Sequence, residues 1–131
     1  MLVERSARVR YHHNMFRIWK SSRFSASHQL NGLPEDHQCS RLHGHNYTIE
    51  VELTAPGLDE VGFVKDFGAL ADLKDYIDRE WDHRHLNDLL PYNPTAENMA
   101  RHLYNWCKLK WPETSAIRVQ ETATSWAEYR P

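Results

Sequence analysis

The sequence predicts an α+β fold in which an antiparallel sheet carries two helices on one face. Residues 46–54, NYTIEVELT, alternate between apolar and polar side chains, as in a half-buried strand. Residues 67–81 and 95–110 instead repeat apolar side chains every three or four positions, as in amphipathic helices. The predicted order is strand, strand, helix, helix, strand, strand. Short links between consecutive strands favour antiparallel pairing, and antiparallel sheets can leave one face in water.

The first strand is predicted to extend over residues 15–28. Phe24, Ala26 and His28 occupy alternate positions and therefore point to the same face. The middle of this segment, residues 20–23, is polar. This polar run predicts a bend or a bulge within the strand.

Each predicted helix has a capping residue at its beginning. Asp66 precedes the helix at 67–81, and Asn93 or Thr95 can cap the helix at 95–110. The apolar positions are Leu70, Leu73, Ile77 and Trp81 in the first helix and Met99, Leu103, Trp106 and Cys107 in the second. These faces are expected to cover the sheet.

The remaining segments complete one domain. Two short strands are predicted at 116–121 and at about 125–129. A length of 131 residues suits a single domain, which is expected to occupy residues 14–131. Residues 1–13 are expected to form a flexible extension.

Composition excludes several classes of function. The formal net charge of −2 argues against nucleic acid as the main partner. No apolar run approaches the length of a membrane span, and the charged N-terminal stretch lacks the apolar region of a secretory signal. Two cysteines do not make a disulfide framework. The expectation is therefore a cytoplasmic protein with free thiols and no membrane partner.

Three of the nine histidines form a predicted metal site. His43 and His45 lie two residues apart at the start of the second strand, so their side chains share a face. His28 ends the first strand, and an antiparallel hairpin places it beside that pair. Gly44 between the two histidines lets another group approach the backbone. Three imidazoles with a fourth position open are typical of catalytic zinc.

Cys39 lies four residues before His43, and its spacing leaves two roles open. It could be the fourth ligand of a closed, structural zinc site. It could instead be a free thiolate that acts as a base or nucleophile beside the metal. Cys107, on the apolar face of the second predicted helix, is more simply an inert thiol.

Two further groups carry possible chemistry. Asp82 beside His83 can orient an imidazole for proton transfer, although a histidine after a helix also suits the helix dipole. Glu121 ends a predicted strand, and its carboxylate can accept two N–H bonds from the amidine-like edge of a guanine or pterin ring. Its simpler interpretation is a surface glutamate at a turn. Glu97 is most simply an acid in the first turn of a helix.

Six motifs together resemble the 6-pyruvoyl-tetrahydropterin synthase superfamily over about residues 15–130. They are Phe-Ser-Ala-Ser-His at 24–28, Cys-x-x-x-His-Gly-His-Asn at 39–46, Val-Lys-Asp-Phe at 64–67, Asp-His-Arg-His-Leu-Asn-Asp at 82–88, Asn-Pro-Thr-Ala-Glu-Asn at 93–98 and Val-x-Glu-Thr at 119–122. The three-residue spacer between Cys39 and His43 and the Leu-Asn-Asp segment are most similar to the bacterial 6-carboxy-5,6,7,8-tetrahydropterin synthases (the QueD family). Trp81 and the segment 123–129 are less typical of that family.

The resemblance implies the tunnelling fold (T-fold), assembled as a homohexamer, a dimer of trimers, with active sites between subunits. It implies zinc on His28, His43 and His45, Cys39 as general base or acid, Asp82 and His83 as a relay pair, and Glu121 as the pterin anchor with help from Thr95 and Glu97.

The activity implied is the conversion of 7,8-dihydroneopterin triphosphate to 6-carboxy-5,6,7,8-tetrahydropterin with release of acetaldehyde and triphosphate, in queuosine biosynthesis. One alternative is a 6-pyruvoyl-tetrahydropterin synthase, which only eliminates triphosphate. A second alternative is a non-catalytic, zinc-stabilised binding protein.

Overall fold

The computed structural model describes residues 14–131, so the extension predicted at 1–13 lies outside the described residues. The elements are β1 (Phe16–His28), β2 (His43–Ala55), α1 (Ala71–Glu80), β3 (Arg84–His85), α2 (Ala96–Lys110), β4 (Thr114–Thr122) and β5 (Ser125–Tyr129). No helix within 14–131 is long and apolar enough to cross a membrane.

The five strands form one sheet in the order β3-β1-β2-β4-β5. The pairs β1–β2, β2–β4 and β4–β5 are antiparallel, as predicted. Strand β3 was not predicted, and it pairs parallel to β1 through Arg84 and His85 beside Ala26 and Ser27. A two-residue strand shows no alternating pattern, so only its tertiary pairing reveals it. The α+β class with two helices is confirmed.

Strands β1 and β2 pair without interruption from Phe16 beside Ala55 to His28 beside His43. The bend or bulge predicted at 20–23 is therefore wrong. These residues are polar because they lie on the part of β1 that pairs only with β2, where the side chains are mostly exposed. The irregularity in this part of the sheet lies instead between β2 and β4, beside Glu52.

A side-chain cap begins α2, whereas the predicted cap Asp66 begins a 3₁₀ turn over Phe67–Leu70 and α1 itself begins at Ala71 without a side-chain cap. The Oδ1 atom of Asp66 accepts the N–H of Gly68 at 2.8 Å and starts a 3₁₀ turn that precedes α1. For α2 the structure selects Thr95, whose Oγ1 accepts the N–H of Asn98 at 3.1 Å. Asn93, the other predicted candidate, makes different contacts. These caps satisfy N–H groups that a helix leaves unpaired in its first turn.

The core lies between the helices and one face of the sheet. Its fully buried side chains include Tyr47, Ile49 and Leu53 of β2, Ile117 and Val119 of β4, Ile77 of α1, and Met99 and Leu103 of α2. Full burial of one such side chain stabilises the fold by about 1.5–3 kcal/mol. The end of the β1–β2 hairpin is therefore attached to a rigid packed layer.

The opposite face of the sheet is polar and contains the fully buried carboxylate of Glu52. Arg130 contacts its Oε2 at 2.6 Å and Arg118 contacts its Oε1 at 3.1 Å. Burial raises the pKa of Glu52, but hydrogen bonds from Arg130, Ser115 and Arg118 outweigh burial and lower the pKa to about 2. Arg118 and Arg130 thus hold the carboxylate of Glu52 in its charged form.

Candidate metal centre and active site

Four side chains converge where the β1–β2 hairpin ends. His28 and His43 are direct cross-strand partners, and His45 lies beside Ala26. One donor atom from each of these three histidines and from Glu121 lies within 4.8 Å of the other three. The three histidines alternate along their strands on the face that the helices cover, as the parity of the sequence predicted.

Backbone carbonyls fix the orientation of two of the imidazoles. The Nδ1 atom of His28 lies 2.8 Å from the carbonyl of Pro94, and that of His43 lies 2.7 Å from the carbonyl of Arg41. Because a carbonyl only accepts, each Nδ1 carries the proton in these contacts and each neutral ring keeps a lone pair on Nε2. The two Nε2 atoms are 2.9 Å apart. Contacts between Nδ1 and a backbone carbonyl, as in these two rings, are typical of histidines that bind a metal through Nε2.

His45 completes the group of donors. Its Nε2 is buried and lacks a hydrogen bond, although the atom lies only 2.9 Å from Oε1 of Glu121. Burial is the main cause that lowers the pKa of His45, so the ring favours its neutral, metal-binding form. An orphaned nitrogen, two facing lone pairs and a carboxylate fit a cation at their centre. Imidazole nitrogen and carboxylate oxygen are both common zinc ligands.

Glu121 lies closer to the histidines than the sequence analysis expected. Its Oε1 is 3.4 Å from Nε2 of His28 and 2.9 Å from Nε2 of His45. On the other side, Glu121 borders a cavity of about 270 Å³ with Glu97 and Trp126. Glu121 lies two residues after the buried Val119, and this alternation indicates that both side chains point to the face covered by the helices. The sequence does not show that β4 pairs with β2, which brings Glu121 to the histidines.

Cys39 lies outside the four-residue group, on the loop that leads into it. It sits half-buried in a 3₁₀ turn over Gln38–Ser40. Its backbone carbonyl accepts the N–H of Leu30 at 3.0 Å, and its own N–H donates to Nδ1 of His37 at 3.1 Å. His37 therefore caps the turn that carries the thiol, a role that sequence reasoning had not found.

Asp82 and His83 form a pair beside β1, outside the four-residue group. Oδ2 of Asp82 lies 2.9 Å from Nδ1 of His83, and Oδ1 accepts the N–H of Ser25 at 2.9 Å. That backbone hydrogen bond, followed by the one from His83, lowers the pKa of Asp82. His83 has a φ of 58° and borders a cavity of about 460 Å³ with Ser27 and Asn46. His45 lines the same cavity, so His83 and one histidine of the metal group border a common space.

The predicted substrate-binding residues are divided between two positions. Glu97 is exposed in the first turn of α2 and shares the 270 Å³ cavity with Glu121. Thr95 does not border this cavity, because its hydroxyl is engaged as the helix cap. The cavity is slightly smaller than the range of about 300–1,000 Å³ that is usual for ligand pockets.

Comparisons with known proteins show which family the chain resembles. A profile of the family described as 6-pyruvoyl tetrahydropterin synthase matches residues 17–131. The chain is 35% identical over 111 residues to a 6-carboxy-5,6,7,8-tetrahydropterin synthase of Rickettsia bellii, covering 70% of this chain and 79% of that protein. It is 30% identical over 135 residues to the synthase of the same name from Bacillus subtilis, covering 92% of this chain and 88% of that protein.

A solved structure shows the same fold. The 6-pyruvoyl tetrahydropterin synthase of Caenorhabditis elegans superposes with a TM-score of 0.79 at 22% identity, covering 89% of this chain and 96% of that one. The T-fold that the motifs implied is therefore confirmed. The motif-based resemblance to this superfamily is confirmed as well.

Proposed function

The chain belongs to the 6-pyruvoyl tetrahydropterin synthase family, and on this basis we propose that it is a zinc-dependent 6-carboxy-5,6,7,8-tetrahydropterin synthase. The observation that carries the proposal is the convergence of His28, His43 and His45 on one point. The names of relatives that are 30–35% identical to this chain support the type of synthase.

The proposed substrate is 7,8-dihydroneopterin triphosphate. The products would be 6-carboxy-5,6,7,8-tetrahydropterin, acetaldehyde and triphosphate, made in the cytoplasm for queuosine biosynthesis. The electrons that reduce the ring come from the substrate's own side chain in this scheme, so no external reductant is required.

His28, His43 and His45 would hold the zinc ion through their Nε2 atoms. Bound zinc supplies Lewis acidity, which lowers the pKa of hydroxyl groups that it contacts. The carbonyls of Pro94 and Arg41 keep two of the rings in the required tautomer. These contacts prepare the ligands before the metal arrives, which reduces the reorganisation that binding needs.

Proton transfer is assigned to Cys39 and to the Asp82–His83 pair. Asp82 holds the Nδ1 side of His83 and leaves its exposed Nε2 free to exchange a proton with substrate. Among the described residues 14–131, no hydrogen bond or ion pair joins this pair to the histidine group, and the family resemblance, which implies active sites between subunits, supports a shared site. We therefore propose a homo-oligomer, a hexamer built as a dimer of trimers, in which Asp82 and His83 act at a neighbouring subunit's zinc.

Glu121 and Glu97 would recognise the pterin ring. Two carboxylates beside one cavity can accept the N–H groups on the amidine-like edge of the ring. Trp126 borders the same cavity and offers an apolar surface to the ring plane. Thr95 would contribute only by fixing the start of α2.

The first experiment is to incubate zinc-loaded protein with 7,8-dihydroneopterin triphosphate and to identify the products by mass. Carboxytetrahydropterin together with acetaldehyde supports the proposal. Pyruvoyltetrahydropterin would instead assign the alternative synthase, the activity after which the matching family is named. Unchanged substrate in the presence of bound zinc would contradict both activities and favour a zinc-stabilised binding protein.

The Cys39→Ala variant separates the two roles that the sequence left open. We expect this variant to retain zinc and to lose turnover by about 10²–10⁴-fold, the usual contribution of a positioned acid or base. The matched control is Cys107→Ala, because Cys107 is buried and its pKa is raised to about 12 by burial. Loss of zinc from Cys39→Ala, measured by metal analysis, would make Cys39 a ligand.

A further inference from the structure

We propose that Asn87 and Asn93 form an amide clamp that positions the Cys39 turn relative to the metal ligands. Each asparagine makes a reciprocal pair of hydrogen bonds with the backbone just after β1. The clamp consists of Asn87, Asn93 and the backbone of residues 29–31. Neither asparagine belongs to the metal group or to the cavities described above. Both are positioning residues that act through Cys39.

The two reciprocal pairs have the same geometry. Asn87 accepts the N–H of Gln29 at 2.8 Å and donates its Nδ2–H to the carbonyl of Gln29 at 2.7 Å. Asn93 accepts the N–H of Asn31 at 2.9 Å and donates to the carbonyl of Asn31 at 3.0 Å. Each side-chain amide thus occupies the place of a peptide group on a neighbouring strand. The two asparagine side chains thus pair with the extended segment after His28 as a neighbouring strand would.

The clamped backbone of residues 29–31 also hydrogen-bonds to the turn that carries Cys39. The N–H of Leu30, between the two clamped residues, donates to the carbonyl of Cys39 at 3.0 Å. The Nε2 of Gln29 donates to the carbonyl of Ser40 at 2.7 Å. Residues 29 and 31 therefore face the asparagines while Leu30 faces the turn. Release of the clamp would free both contacts that attach the thiol-bearing turn to the end of β1.

Asn93 also connects this turn to the metal group. Asn93 precedes Pro94, whose carbonyl accepts the Nδ1–H of His28. The Nδ2 of Asn98, in the first turn of α2, donates to the carbonyl of Asn93 at 2.9 Å. A single short segment therefore holds a metal ligand and the clamp together. The separation between Cys39 and the histidines depends on this segment.

Only an amide can make both bonds of each pair. A carboxylate of the same shape accepts an N–H but cannot donate to a carbonyl, and an apolar side chain does neither. Displacement of a catalytic group by about 1 Å can reduce turnover by about 10²-fold. The clamp is thus expected to affect the rate of proton transfer more than the binding of substrate.

The inference rests on the proposed function for its effect on turnover, but its structural part can be tested without substrate. We would prepare Asn87→Ala, Asn93→Ala and Asn87→Asp, with Asn105→Ala as a matched control because Asn105 is an exposed helix residue. The first readout is the rate of iodoacetamide alkylation of Cys39 in the zinc-loaded protein. Cys107 is buried and does not contribute. The second is hydrogen exchange at the amide of Leu30.

We expect alkylation to accelerate by at least about threefold, and Leu30 to lose protection, in the three clamp variants but not in Asn105→Ala. Zinc content should remain that of the unaltered protein. With substrate, kcat should fall by about 10–100-fold while KM changes by less than about threefold. Asn87→Asp should resemble Asn87→Ala, because it preserves the volume of the side chain but lacks the N–H donor.

Three results would overturn the inference. Clamp variants with the alkylation and exchange rates of Asn105→Ala would show that the asparagines do not hold the turn. Asn87→Asp with the properties of the unaltered protein would show that volume, not the amide, matters. Loss of zinc and lowered thermal stability in every clamp variant would show a general structural role. If the unaltered protein does not turn over the pterin, the proposed function fails while alkylation and exchange still decide on the clamp.

Discussion

The Nε2 atoms of His28 and His43 face each other across 2.9 Å, with both Nδ1 atoms at backbone carbonyls. Two neutral rings in that arrangement direct lone pairs at the same point, which is unfavourable without a proton or a cation between them. The buried, unbonded Nε2 of His45 points to the same conclusion. Uncompensated polar atoms of this kind cost the folded state free energy, and a metal ion removes that cost.

We predict that His43→Ala loses zinc while His37→Ala retains it. His43 is a proposed direct ligand, and loss even of an outer contact typically reduces metal affinity 10–100-fold, so loss of the ligand should exceed that. His37 is the matched control because it lies on the same loop but contacts only the backbone of Cys39. Competition with a zinc-binding dye measures both affinities. Equal zinc affinity in the two variants would contradict the assignment of His43.

Glu52 gives a prediction about stability and pH. The pKa of its carboxyl is about 2 in the folded protein. The free energy of unfolding that the charged carboxylate contributes is therefore fully present above the ordinary pKa of about 4.5. This contribution is lost as the pH falls towards 2. We predict that Glu52→Gln lowers the free energy of unfolding at pH 7 by about 2–3 kcal/mol. This is below the usual cost for a broken buried pair, because Arg118 and Arg130 also contact Glu128.

Urea unfolding between pH 7 and pH 3 tests this prediction. The difference between the unaltered protein and Glu52→Gln should narrow as the pH falls below about 4.5. Glu60→Gln serves as the control because Glu60 is exposed, and it should change stability by less than about 0.5 kcal/mol. A difference between the two proteins that stays constant with pH would show that Glu52 does not act through its charge.

At the scale of elements, the start of α2 links helix formation to the metal site. Thr95 caps the helix, and the preceding Pro94 supplies the carbonyl that holds His28. A helix whose first N–H groups lose their acceptor frays from that end. The local capping pattern therefore has a consequence for His28, a proposed metal ligand that lies 67 residues before Thr95.

We predict that Thr95→Ala lowers the free energy of unfolding by about 1 kcal/mol, the usual cost of removing an N-cap hydroxyl. Zinc affinity should fall by a smaller factor than in His43→Ala, because the carbonyl of Pro94 remains. The exposed Thr124 provides the control variant Thr124→Ala. Chemical unfolding of the zinc-free proteins gives the comparison. Identical midpoints for the two threonine variants would argue against the cap.

At the scale of the whole molecule, the sheet has open edges within residues 14–131. Strand β3 pairs with only Ala26 and Ser27 of β1, and β5 ends the sheet on the other side. Large apolar side chains are exposed near these edges, among them Trp19 at 56% and Trp126 at 51%. Unpaired edges with exposed aromatic residues favour pairing with another chain. This feature supports the proposed oligomer.

We predict that Trp19→Lys weakens self-association by at least about tenfold, because it places a charge on an exposed part of the β1 edge. Leu109→Lys is the control, since Leu109 is 90% exposed and lies on α2 rather than on a strand of the sheet. Light scattering across a concentration series measures the mass of both variants. An unchanged mass for Trp19→Lys at all concentrations would exclude the β1 edge as an interface.

The sequence by itself determined the local features. Alternation predicted that His28, His43 and His45 share a face, because side chains in a strand alternate regardless of the rest of the chain. Hairpin pairing then placed them together, since the two strands are neighbours in sequence. The helical periods predicted α1 and α2 for the same reason.

Tertiary structure alone decided the contacts between distant segments. Glu121 reaches His45 because β4 joins β2, Asp82 lies beside Ser25 because β3 joins β1, and Asn87 reaches Gln29 across 58 residues. The order of strands in a sheet depends on packing between helices and strands, which no local period encodes. The sequence therefore specified which residues could bind a metal, and the fold decided what surrounds them.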